Sequence, residues 1–206
     1  MTYTVKEIYY TLQGEGANTG RPAVFLRFSG CNLWTGREED RANAICQFCD
    51  TDFVGGTKYA TAEMLAEEVA GQWFGNGTSK RFIVITGGEP LLQLDEPLIA
   101  SLHDTGFEIA VETNGTIEAP KGLDWICMSP KAGTIIKQRS GNELKLIYPQ
   151  PGLTPPELER LDFEHFFLQP MDGPEIDQNT ELAARYCLEY PRWRLSLQTH
   201  KLLGIR

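Results

Sequence analysis

The chain has 206 residues, 41% of them apolar and 23% charged, and a formal net charge of −9. That length can bury a core without staples, and five cysteines are an odd number, so a disulfide framework is not expected. Acid is in excess, there is no Lys/Arg stripe, no apolar run nears membrane length and the start lacks a leader, so the expectation is no nucleic acid, no membrane and a cytoplasmic location.

Alternating and β-branched runs predict a leading strand at Val5–Tyr10 and a second at Ala23–Phe28. A helix is predicted over Ala62–Trp73, with Met64, Leu65, Val69 and Trp73 at helical spacing behind Thr61 as N-cap. Then come a strand at Phe82–Ile85, a helix at Glu96–Asp104 stopping near Gly106, and strands at Glu108–Val111, Asp124–Met128 and Leu144–Tyr148. A short helix at Pro155–Leu161, a strand at His165–Leu168, a helix at Asp177–Glu189 and a strand at Arg194–Leu197 complete the series.

Thr113–Leu123 and Ser129–Asn142 are too short and too broken by Gly and Pro to hold crossover helices. Strands therefore outnumber helices. The fold expected is α/β, a modified partial (β/α) barrel of about six parallel strands, in a single domain over residues 1–206.

A polar motif follows most strands. After Ala23–Phe28 comes the cysteine loop; after Phe82–Ile85, Thr86-Gly87-Gly88-Glu89-Pro90; after Val111, Glu112-Thr113-Asn114-Gly115. After Met128 comes Ser129-Pro130-Lys131; after Leu168, Gln169-Pro170-Met171-Asp172; after Leu197, Gln198-Thr199-His200-Lys201. Any one is an ordinary turn. Parallel strands bring their C-terminal ends to one rim, so together they predict one site.

Cys31, Cys46 and Cys49 read C-x14-C-x2-C. Structural zinc wants four protein ligands, whereas an iron–sulfur cluster can leave one iron open for a ligand. Half a zinc ribbon or a redox pair remain alternatives on spacing alone. Cys127 and Cys187 are isolated in apolar runs and read as buried thiols. The insert at about 32–45 is polar. It is expected to be a solvated excursion anchored by Trp34 and Ile45, and to be dispensable for holding the metal. Arg27, Lys131 and Lys201 are the cations placed to hold a small anion.

The cysteine triad after the first barrel strand and Gly87–Pro90 after the second resemble the radical S-adenosylmethionine (SAM) superfamily. The long cysteine spacing and the ordered set from Leu12-Gln13-Gly14-Glu15-Gly16 to Gln198–Lys201 resemble the 7-carboxy-7-deazaguanine synthase family. The resemblance implies a [4Fe-4S] cluster on Cys31, Cys46 and Cys49, whose open iron binds SAM. It implies ring contraction of 6-carboxy-5,6,7,8-tetrahydropterin with loss of ammonia. SAM contacts carry over to Phe48, Cys49, Asp50, Gly88, Ser129, Pro130, Lys131, Gln169, Pro170, Met171 and Asp172. Substrate contacts carry over to Leu12, Gln13, Gly14, Arg27, Thr86, His200 and the main-chain carboxylate of Arg206. It further implies Mg2+ at Thr51, a flavodoxin or ferredoxin as electron donor, and a homodimer. A glycyl-radical activase and a zinc-binding interaction module are the alternatives.

Overall fold

The structure is a computed structural model that describes residues 2–76 and 80–206. Among the described residues nine strands form one sheet: β1 (Tyr3–Leu12), β2 (Pro22–Phe28), β3 (Thr57–Tyr59), β4 (Arg81–Gly87), β5 (Phe107–Thr113), β6 (Trp125–Met128), β7 (Ser140–Tyr148), β8 (Asp162–Pro170) and β9 (Trp193–Leu195), in the order β3-β1-β2-β4-β5-β6-β7-β8-β9. The leading strand β1 runs antiparallel to β2 and β3. From β2 through β9 the pairing is parallel. That makes seven parallel strands where about six were expected.

The helices are α1 (Ala62–Gly71), α2 (Glu96–Asp104), α3 (Pro155–Leu158), α4 (Ile176–Glu189) and α5 (Thr199–Leu203). Thr61 caps α1 as its sequence suggests, its hydroxyl accepting the Met64 N–H at 3.3 Å. Met64 itself points to solvent, while Leu65 and Val69 are fully buried. No helix interrupts 114–124 or 129–139, as the Gly and Pro content requires.

Period two divides the sheet. Val24, Leu26, Phe28, Ile83, Ile85, Ile109 and Val111 face α1 and α2 in one core. Leu144, Leu146, Phe166 and Leu168 join Ala183 of α4 and Trp193 in a second core. The alternate positions turn to the other face: Phe25, Phe82, Val84 and Ala110 form a small apolar floor there. Two residues further along β2, β4 and β5, Arg27, Thr86 and Glu112 line a cavity, joined by Lys145 and Ile147 of β7 and Gln169 of β8. The sheet does not close, because β9 has no pairing to β1. The gap is bridged by Thr199 N–H donating to Gly14 O at 3.0 Å and Gly16 N–H donating to Ser196 Oγ at 2.9 Å.

Candidate active site

The strand-end motifs meet around one cavity of about 560 Å³. Cys31, Cys46 and Cys49 line it together, while Cys127 does not. Cys127 is buried beneath it, its thiol donating to Glu143 Oε1 at 3.4 Å. Cys187 is half-buried beside the second core.

Among the described residues no three His, Cys, Asp or Glu side chains close on a single ion. A tetrahedral zinc would hold its thiolates within about 4 Å of one another. A cluster offers each thiolate a separate iron and can leave a further iron open, which a set of three cysteines fits. Other features fit an anionic group. The Leu33 N–H donates to Cys31 Sγ at 3.4 Å, and the Thr51 N–H lies against the Cys49 sulfur. The Cys46 thiol donates to Cys49 and, against burial, holds it down at about 6. The same donation, with burial, pushes Cys46 up. Burial also raises the Cys31 thiol. A β-carbon on Gly88 would press on Gly30 O and lie 2.6 Å from Cys31 Cβ, so glycine there lets the Gly87–Pro90 loop pack on the first cysteine.

Glu89 is fully buried and staples that loop. Its Oε1 accepts the Thr113 hydroxyl at 2.8 Å and the Leu91 N–H at 3.0 Å; its Oε2 accepts the Asn114 N–H at 2.8 Å. Asn114 donates in turn to Asn32 Oδ1 at 3.0 Å, joining the Glu112–Gly115 motif to the cysteine loop. Lys131 Nζ donates to Ser129 O at 2.6 Å and Oγ at 2.9 Å, and burial pulls its ammonium down. It lies 6.0 Å from the centre of the Phe48 ring. Lys201 is not available to hold a ligand: it pairs with Asp50 and Asp172, each at 2.6 Å, tying α5 to the loops after β2 and β8.

The floor carries charges that sequence reasoning passed over. Lys145, 3% exposed, donates to Glu15 Oε2 at 2.5 Å and lies 3.5 Å from Glu112 Oε1. Burial raises the Glu15 carboxyl, but Lys145 and the Gln198 amide outweigh it and hold it at about 2. Burial likewise lowers Lys145, and Glu112 and Glu15 more than reverse that. Gln13 Nε2 donates to Glu112 at 3.0 Å, and Gln169 Oε1 accepts the Ser196 hydroxyl at 3.0 Å. The signal was present: Lys145 sits inside an apolar run, at the parity opposite Leu144 and Leu146.

Leu12, Gln13, Gly14, Arg27, Thr86, His200 and Arg206 all line the cavity, as do Thr51, Phe48, Asp50, Gly88, Ser129, Lys131, Gln169, Pro170 and Asp172. Pro130 and Met171 stand behind the lining, where Pro130 O accepts Gln150 Nε2 at 3.3 Å and Met171 O accepts Asn179 Nδ2 at 2.9 Å. Arg27 Nε donates to Glu7 at 2.8 Å and Nη2 to the Tyr9 hydroxyl at 3.0 Å. Arg206 also pairs with Glu7, and its main-chain O accepts the Thr11 hydroxyl at 2.7 Å. In the insert, Trp34 is buried against Phe53 as expected, but the Ile45 side chain is 52% exposed. Leu33 is the second anchor, buried and accepting the Ile45 N–H at 3.1 Å.

The 7-carboxy-7-deazaguanine synthase of Caulobacter vibrioides is 63% identical over the full length of both chains. The chain belongs to the 7-carboxy-7-deazaguanine synthase family. The Burkholderia multivorans and Bacteroides thetaiotaomicron synthases are 58% and 42% identical, again with both chains fully covered. The crystal structure of QueE from Escherichia coli superposes with a TM-score of 0.68 at 28% identity, covering 96% of this chain and 94% of that one. No protein-family model matches the chain. No helix among the described residues is long and apolar enough to cross a membrane.

Proposed function

We propose that the chain acts as a radical SAM carbon–nitrogen lyase, converting 6-carboxy-5,6,7,8-tetrahydropterin to 7-carboxy-7-deazaguanine with loss of ammonia, in queuosine and 7-deazapurine biosynthesis. The observation that carries this is the convergence of the cysteine loop and five further strand-end motifs on one cavity, in a member of the synthase family. The whole chain would serve as one domain.

A [4Fe-4S] cluster with SAM supplies the hydrogen-abstracting radical chemistry when bound. Cys31, Cys46 and Cys49 would hold the cluster. Phe48, Asp50, Gly88, Ser129, Lys131, Gln169, Pro170 and Asp172 are placed to hold SAM, with Pro130 and Met171 shaping those turns. Lys131 presents its ammonium to the cluster side of the cavity. Leu12, Gln13, Gly14, Thr86, Arg27, His200 and the Arg206 main-chain carboxylate would hold the substrate. Arg27 is buried enough for a strong charged hydrogen bond to a carboxylate. Thr51 would offer Mg2+ one oxygen. Its neighbours fit that reading, because Asp50 is turned to Lys201 and Asp52 to Lys6, leaving substrate and water to supply the other ligands.

A flavodoxin or ferredoxin donor, a homodimer and a cytoplasmic setting are proposed from the family alone. The test is anaerobic reconstitution followed by incubation with the carboxypterin, SAM and a reductant. The expected outcome is a brown protein holding iron and sulfide that yields the deazaguanine. A colourless zinc protein, or an iron protein that leaves the pterin intact, overturns the proposal.

A further inference from the structure

Two side chains bind the insert to the cysteine turn: Gln47, whose Nε2 donates to Ala42 O at 3.0 Å, and Arg41, which makes the larger set of contacts. Arg41 lies in a 3-10 turn, Glu38–Asn43, in the middle of the insert. Its Nη1 donates to two main-chain oxygens, Gln47 O and Cys49 O, each at 2.9 Å. Its Nε donates to Glu38 Oε1 at 2.7 Å. Its guanidinium carbon lies 4.1 Å from the centre of the Trp34 ring. Trp34 is itself fixed, buried edge-on to Phe53 and donating from Nε1 to Arg37 O at 3.1 Å.

Residues 44–53 have no helix or strand to hold them. The foot of the insert is tied by Leu33 O, which accepts the N–H groups of Ile45 and Cys46 at 3.1 and 3.5 Å. Beyond that foot, Arg41 reaches across to the carbonyls of the Cys46–Cys49 turn. A planar, always-charged fork stacked on an indole can do this; a lysine ammonium offers neither the fork nor the stacking. The guanidinium thus lies against the main chain of Cys49 itself, with its outer edge paired to Glu38.

We infer that Arg41 is a positioning residue of the metal site, fixing the Cys46–Cys49 turn and setting a permanent positive charge beside its two thiolates. This rests on the reading of the cysteines as cluster ligands. It reverses one sequence expectation, because trimming the insert would remove Arg41 and the clasp with it. A nearby positive charge favours the reduced, more negative cluster.

The experiment compares wild type, Arg41→Ala and Arg41→Lys by melting of the apo chain, iron and sulfide content after anaerobic reconstitution, and the cluster midpoint from EPR-monitored titration. Apo Arg41→Ala is expected to melt like wild type yet take up roughly half the iron or less, as loss of two charged hydrogen bonds at a turn implies. The cluster it does form is expected at a more negative midpoint. Arg41→Lys keeps the charge and is expected to restore the midpoint but not the uptake. Full iron uptake in Arg41→Ala overturns the positioning role, and an unshifted midpoint overturns the electrostatic one. If the alanine chain fails to fold, Arg41→Lys decides, and full uptake there overturns the assignment. A wild-type chain that takes up no iron sinks the reading of the cysteines instead, so the two failures are distinguishable.

Discussion

Gly14 packs directly on His200: a β-carbon at residue 14 would lie 2.9 Å from His200 Cβ and Cγ and overlap Nδ1. The two residues stand at opposite ends of the chain and meet where β1 and β9 fail to pair. The Thr199 hydroxyl and N–H both donate to Gly14 O, at 2.9 and 3.0 Å, locking the approach.

Gly14→Ala should therefore displace His200 and α5 rather than unfold the chain. The expected outcome is substrate binding weakened tenfold or more, on the order of one charged hydrogen bond, with SAM binding little changed. Isothermal titration with each ligand checks it. Equal loss of both ligands would mean a collapsed site instead.

Each of Cys31→Ala, Cys46→Ala and Cys49→Ala should abolish cluster assembly, and Cys127→Ala should keep it. Iron and sulfide analysis after reconstitution decides. Iron lost from Cys127→Ala and retained by Cys46→Ala would reverse the ligand assignment.

Lys145→Met should cost about 3 kcal/mol of stability, because it leaves the half-buried Glu15 and Glu112 without their buried shared cation. The pH dependence has a definite sign. Glu15 sits near 2 in the folded chain and near 4.5 in a free carboxyl, so its stabilisation is complete above about 4.5 and is lost as pH falls toward 2. Glu15→Gln should flatten the acid limb in that window. Urea melts of the apo chain from pH 6 downward, on the order of half-unit steps, read it; an unchanged slope would count against the pairing.

Arg27→Lys should weaken substrate binding by about 1–3 kcal/mol. The guanidinium already spans Glu7 and the Tyr9 hydroxyl while lining the cavity, which a single ammonium cannot do. Binding of a substrate analogue lacking the carboxylate should be equally weak in both proteins.

Wild-type turnover should fall in metal-stripped buffer and recover with Mg2+, and Thr51→Ala should lose that response. Turnover indifferent to Mg2+ in the wild type removes the ion from the site.

Most of the sheet was legible because its strands are buried on at least one face and keep period two. Three elements or groupings were not. β3 is three exposed or half-exposed residues, paired only to β1, and leaves no pattern. α5 hides in Gln198–Lys201, which reads as a loop; five residues are too few for a periodic face, and its placement comes from Lys201 on two aspartates. Lys145 had a local sign in its place inside an apolar run, but Glu15 and Glu112 carry none, since the cluster arises only when distant segments meet. Ile45 misled because hydrophobicity was taken for burial, while its place is set by the backbone bond to Leu33. The six polar motifs, by contrast, were legible from their phase, each following a parallel strand whose C-terminal end reaches the same rim; Leu12–Gly16 comes at the end of the antiparallel β1 and lies outside that pattern.

The two outermost strands, β3 and β9, are each only three residues long. An unsealed sheet presents unpaired backbone donors and acceptors to any other chain, and long flat borders of that kind nucleate cross-chain ladders. Brevity here keeps each end strand's own template to three residues, and the part of β1 beyond Val5 turns instead to the gap, where the chain's own C-terminal segment meets it through Thr11 and Gly14. A barrel left ajar thus has its opening occupied by its own ends.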